Sequence, residues 1–376
     1  MRLKSGNVAR FGRPRREARI RDVASSARCI SSYGSIVVLV WGVAFDTQTP
    51  RPASPGRVDV LRATGGFPPQ VCNAFREPLS IQQAASGAYY VFDRRSHAVY
   101  RVEADMRPPQ KIVEIGNEGG RLLEPSAFDL GPDGTFAVAD APNGKERIQV
   151  FDSTGKWVTG FMLPGRAQTR VSVGGLALGG VSTLAFLGRS VVINQPEANA
   201  LITEYGLAGT PIRSVGTLRP TGYEGDRQIH LAMNTGIPLP HPSGGFYFVF
   251  LAGPPVFRRY DAKGVLLFER VIQGRELDPV VELMPKKWPR RNVEGGELPL
   301  IVPTVRTAAV DPSGNLWVSF MIPFTYVFTD EGEKIRTVQL QGAGLLSPSS
   351  LSFNRRGALL VTPGCFEFSS PTEPSA

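Results

Sequence analysis

Histidine is scarce in this chain of 376 residues: His97, His230 and His241 are the only three. Cysteine is equally rare, at Cys29, Cys72 and Cys365. No His-x-x-x-His or Cys-x-x-Cys spacing occurs, so the closely spaced ligands of ordinary zinc sites are missing. Also absent are the Gly-x-x-x-x-Gly-Lys-Ser/Thr loop that cradles phosphates and the Gly-x-Ser-x-Gly elbow of serine hydrolases. Catalysis by a nucleophile triad therefore has no sequence support. His97 and His241 fall in turns, where ordinary turn roles are expected.

Long apolar runs are lacking as well. Ile36-Val-Val-Leu-Val-Trp-Gly-Val-Ala44 falls well short of the roughly 20 residues needed to cross a bilayer. Its basic flank and its small residues Gly42 and Ala44 suit a secretory signal cleaved after Ala44. The competing readings are an ordinary buried strand and an uncleaved anchor over 30–45. Arg15-Arg16 resembles a twin-arginine export pair but lies far upstream of the apolar run. The basic lead is long enough that the true start codon could lie further in. Residues 45–56, with Thr and Pro, read as a linker.

A surface excess of positive charge is missing too, although the net charge is +9. Residues 1–44 hold nine basic and two acidic side chains, leaving 33 basic against 31 acidic in the rest. Phosphate recognition needs charge on the folded surface, so no nucleic-acid partner is expected, and membrane contact is expected only through an uncleaved leader.

What the chain has in abundance is turn-formers, with 41 Gly and 32 Pro, too many for a helical bundle. It also repeats itself. Phe128-Asp-Leu-Gly-Pro-Asp-Gly-Thr-Phe-Ala-Val-Ala-Asp140 and Ala308-Ala-Val-Asp-Pro-Ser-Gly-Asn-Leu-Trp-Val-Ser-Phe320 are each a strand, a tight Pro-x-Gly turn and a second apolar strand. Further copies start at Ile81, Ile237 and Leu351, and a degenerate one spans Thr183 to Asn194. The first five units continue into another hairpin, as at Ile148-Gln-Val-Phe-Asp152, so each is four short antiparallel strands. The second strands end near Asp93, Asp140, Asn194, Leu251, Met321 and Thr362, intervals that suit propeller blades.

Ala137-Val-Ala-Asp-Ala-Pro-Asn-Gly-Lys-Glu-Arg-Ile-Gln-Val-Phe-Asp-Ser-Thr-Gly155 resembles an NHL repeat: an apolar strand ending in Asp, an Asn/Arg-containing loop, an Ile-x-Val-Phe strand and an Asp-x-x-Gly turn. Residues 57–368 resemble the bacterial six-bladed NHL-type propellers. The resemblance implies an all-β ring of six four-stranded antiparallel blades, and residues 369–376 read as a disordered tail. Unit six lacks an outer strand, and Arg57-Val-Asp-Val-Leu-Arg-Ala63, followed by Gly65-Gly66, is left unassigned. The N-terminal strand is expected to complete the last blade and close the ring. Cys72 and Cys365 both fall near that blade and are expected to pair as a disulfide, two free thiols being the alternative.

Two connections between blades, Gly216 to Gly236 and Gln273 to Pro303, are unusually long and emerge on one face. The first offers Tyr223, Asp226, Arg227 and His230 as a ligand-binding set. In the second, Trp288 stands among Lys286, Lys287, Arg290 and Arg291, an aromatic face with charged flanks for an anionic or sugar-like ligand. The competing reading, favoured by an equal number of acidic neighbours, packs Trp288 onto the blade. Gly174-Gly175 and Gly179-Gly180 read as hinges between blades.

The expected function is an exported module, periplasmic or secreted, that binds a protein, peptide or sugar-like ligand. No catalytic residues, metal ligands or cofactor are assigned. The alternative is a metal-assisted lyase or hydrolase with Ca or Zn in the central channel, as in some six-bladed relatives.

Overall fold

The second strand of each repeat is apolar at nearly every position, because both its faces are covered. In the computed structural model, which describes residues 57–164, 169–173, 176–179, 183–293 and 296–369, all five residues of Tyr89–Asp93, Phe136–Asp140, Phe246–Phe250 and Leu316–Phe320 are buried. Successive side chains point to opposite faces of the sheet. Tyr90 and Phe92 thus pack with Phe128, Phe136 and Phe151, while Tyr89 and Val91 pack with Phe67 and Leu360.

Continuing this alternation gives six core clusters, each joining two successive sheets, and the sixth returns to the first. The sheets are six antiparallel blades. Their innermost strands are Pro78–Gln83, Ala127–Leu130, Leu184–Phe186, Gly236–Pro240, Val305–Val310 and Ser350–Phe353. Outer strands such as Trp157–Met162 and Leu266–Val271 are largely exposed. The chain is therefore a six-bladed β-propeller.

The hairpin turns carry the glycines that the repeat demands. Gly134 has φ +88°, and a Cβ there would come within 2.9 Å of Ser153 and 3.0 Å of the Tyr90 hydroxyl. The turn can close against the neighbouring blade only because that atom is missing.

The N-terminal segment closes the ring in two pieces. Gly65–Gly66 is the fourth strand of the sixth blade, paired with Phe366–Phe368. The longer piece, expected on that same blade, lies one blade earlier: Val58–Arg62 runs parallel to Lys334–Gln341 as a fifth strand of blade five. There Leu61 packs on the cluster between blades five and six, and Arg336 Nε donates to Asp59 at 2.8 Å. A parallel partner arrives by a crossover, not a hairpin, so no local turn signal marks it.

The short helix Pro69–Cys72 follows, and Cys72 forms a disulfide with Cys365, their Cα atoms 6.1 Å apart. The bridge ties the entering chain to the turn that leads into the third strand of blade six. The leader, the linker and residues 370–376 of the tail lie outside the described residues.

Candidate functional site

In an antiparallel blade the loop from second to third strand and the connection to the next blade leave from the same end. Three of those connections carry insertions. Between blades two and three stands a two-stranded ribbon, Thr169–Val173 with Leu176–Gly179, where only glycine hinges were expected. Between blades three and four lies the helix Arg227–Met233, with Asp226 accepting from Ile229 N at 3.3 Å as its cap. Between blades four and five come the helix Asp278–Glu282 and a ribbon, Arg290–Val293 with Gly296–Pro299. The helix Arg227–Met233 neighbours strands of both ribbons, so the three insertions meet on one face.

The second and third of these segments are locked together. Trp288 is buried at 8% exposure among Ile229, Ala232, Met233, Ala252 and Ile301. Tyr223 Oη donates to Lys286 O at 3.0 Å, and Arg290 forms an ion pair with Asp226. Beneath them Arg219 donates to the carbonyls of Pro254 at 3.1 Å and Met233 at 3.2 Å, and its guanidinium lies 4.2 Å from the Phe250 ring centre. Burial lowers the Arg219 pKa to about 10.

A central cavity of about 1040 Å³ is lined by all six innermost strands and also by Gly131 and Pro132, in a turn on the opposite face. Arg94, His97, Gly144 and Met321 reach it from loops between second and third strands. Its walls are apolar at Leu79, Ile237, Leu251, Pro303 and Met321, and hydroxylic at Ser80, Thr307, Ser349 and Ser350.

Four titratable groups in that wall differ in their partners. Arg94 is ion-paired with Glu77 and is satisfied. Asp129 accepts from Phe186 N at 2.7 Å, yet burial pushes its pKa up to about 6. Arg306 stands in the irregular step between Val305 and Thr307; its Nε is buried without a hydrogen-bond partner among the described residues, and burial lowers its pKa. His97 keeps its turn role, with φ +47° and its backbone N bonded to Arg94 O at 3.1 Å, while its buried Nδ1 is likewise unpartnered.

The structure brings most of the sequence-derived set together, but largely as a frame. Trp288 presents no aromatic face, because its ring fills the gap between two insertions. Asp226 and Arg290 hold each other, and His230 Nδ1 lies 2.8 Å from Thr221 Oγ1. Arg227 and Arg291 remain exposed, with no side-chain partner among the described residues. The third histidine, His241, is buried against Tyr247 on the opposite face, with Nδ1 2.8 Å from Ser243 Oγ.

Sequence reasoning passed over Arg306 and Asp129. The signal was present in each case: one charged residue in an otherwise apolar or small first strand, Val305-Arg-Thr-Ala-Ala-Val310 and Ala127-Phe-Asp-Leu130. Among the described residues no three His, Cys, Asp or Glu side chains are grouped so as to hold a metal ion, and no helix is long and apolar enough to cross a membrane.

No protein family and no curated protein matches this sequence. Several solved structures resemble it. A streptogramin B lyase is 11% identical at a TM-score of 0.49, covering 77% of this chain and 76% of its own. The virginiamycin B lyase of Staphylococcus aureus is 10% identical at 0.48, covering 80% and 81%. Hydrazine synthase of Kuenenia stuttgartiensis is 14% identical at 0.44, covering 76% and 92%. These likenesses concern the course of the chain alone, and the assignment of this protein as a six-bladed β-propeller rests on its own strands.

Proposed function

We propose that this protein is an exported NHL-like propeller that binds a ligand at the cavity mouth on its insertion face. One observation carries the reading: three separate inter-blade connections converge on one face, and loops of that face line the central cavity. Long loops on a rigid scaffold are where binding residues concentrate. The leader of residues 1–44 and the linker of 45–56 ahead of the ring support export, and the disulfide fits an oxidising compartment.

Cell fractionation of the full chain, with N-terminal sequencing of the product, tests export. Recovery outside the cytoplasm with a start near Phe45 is expected, and uncleaved protein confined to the cytoplasm contradicts it. The binding face is tested by a thermal-shift screen with exchange mapping of each hit, which is expected to protect the insertion face.

A further inference from the structure

Several buried arginines of this fold are held by partners. Arg147 is paired with Asp140, Arg258 with Glu269 and Arg259 with Asp330, and Arg219 with three backbone carbonyls. Arg306 is different: it lines the cavity, its Nε is buried, and no hydrogen-bond partner meets that atom among the described residues. Burial lowers its pKa, and no ion pair with a carboxylate meets it among the described residues. Of the acidic residues that line this end of the cavity, Glu77 is committed to Arg94 and Glu124 is exposed. A desolvated guanidinium without a counter-charge is costly to keep.

The surroundings supply the rest of a site. His97 offers a second unpartnered buried nitrogen to the same cavity, from blade one. Ser349 and Ser350 of blade six stand in the ring between the blades that carry these two residues, and share Thr362 Oγ1 at 2.9 and 2.7 Å. The remaining wall is apolar at Leu79, Ile237, Leu251 and Met321. A planar guanidinium beside apolar walls matches an acid group on an apolar body. A cavity of about 1040 Å³ is also far larger than an inorganic ion requires.

We propose that Arg306 is the anion-binding residue of this cavity and that the ligand is an organic acid whose apolar body lies along the inner strands. The inference rests on the binding reading above and names its ligand class. Titration calorimetry on the full chain with octanoate, octanol and inorganic phosphate tests it. Octanoate is expected to bind about 10-fold tighter than octanol, and phosphate more weakly than octanoate. Arg306→Met is expected to erase the preference while leaving octanol binding within about 2-fold, and Arg306→Lys to restore part of it. The proposal is overturned if wild-type protein fails to bind octanoate, if Arg306→Met keeps the preference, or if phosphate binds as tightly as octanoate. None of those results bears on whether screen hits protect the insertion face, so the two readings fail separately.

Discussion

Asp140 holds Arg147 through two hydrogen bonds, from Nε at 2.9 Å and from Nη2 at 2.6 Å, with the carboxylate fully withdrawn from water. The same carboxylate accepts from Leu123 N at 3.0 Å, where the chain enters blade two. Asp93 does the equivalent in blade one, accepting from Arg76 N at 2.7 Å and Glu77 N at 3.1 Å. In blade three Asn194 accepts from Gly236 N at 3.1 Å, latching the start of the next blade instead. A polar residue ending the second strand is thus a latch on an incoming first strand. Truncating it leaves a cation and a backbone donor unpaired. Asp140→Ala is expected to lower unfolding stability by about 3 kcal/mol, measured by denaturant titration, with Arg147→Met recovering part of the loss in the double variant. Equal stability of Asp140→Ala and wild type would sink the latch.

The disulfide makes a prediction about where the fold is secure. Cys72 and Cys365 lie 293 positions apart in the chain, so their bridge closes almost the entire ring. Cys72→Ser with Cys365→Ser is expected to cost about 2–5 kcal/mol. Thiol titration of the denatured, unreduced mature protein, which retains Cys72 and Cys365 alone, is expected to find no free thiol. Two reactive thiols would contradict the pairing.

Asp129 sets a pH dependence. Its folded pKa of about 6 lies above its ordinary 3.8, so the folded state holds the proton more tightly than the unfolded state. The stability this provides is complete below about pH 4 and is lost as pH rises through 6, about 3 kcal/mol in all. Asp129→Asn is expected to flatten that part of the stability profile, read from denaturant midpoints at pH 4.5 and 7.5. An unchanged difference between the two pH values would refute the assignment.

Trp288 tests the insertion frame apart from the ring. Trp288→Ala empties the apolar contact among Ile229, Met233 and Ile301. Hydrogen exchange is expected to accelerate about 100-fold across residues 227–233, from a local loss of about 3 kcal/mol, with the second strands of the blades unchanged. Uniform acceleration across all blades would show that the insertions are not a separate layer.

The ring was legible because its units are local: each hairpin declares itself by alternation and a Pro-x-Gly turn within a dozen residues. The Asp at the end of strand two was visible as a repeat mark, although its bond to Leu123 N was not. Residues 58–62 were misplaced by one blade because their partner lies in parallel across the whole chain. At the candidate site the long connections were legible from their length. The roles within them were not, since Trp288 reads the same in sequence whether it faces a ligand or a helix. Arg306 and His97 line one cavity only through ring closure, which places blade one beside blade six and blade six beside blade five.

The central claim is that ligand is taken at the cavity mouth on the insertion face. Hydrogen exchange of the full chain with and without saturating octanoate measures this directly. Protection is predicted over residues 94–97, 304–307 and 349–352, and it should vanish in Arg306→Met at the same octanoate concentration. Protection confined to the hairpins at 241–245 and 261–265, on the opposite face, would contradict the account.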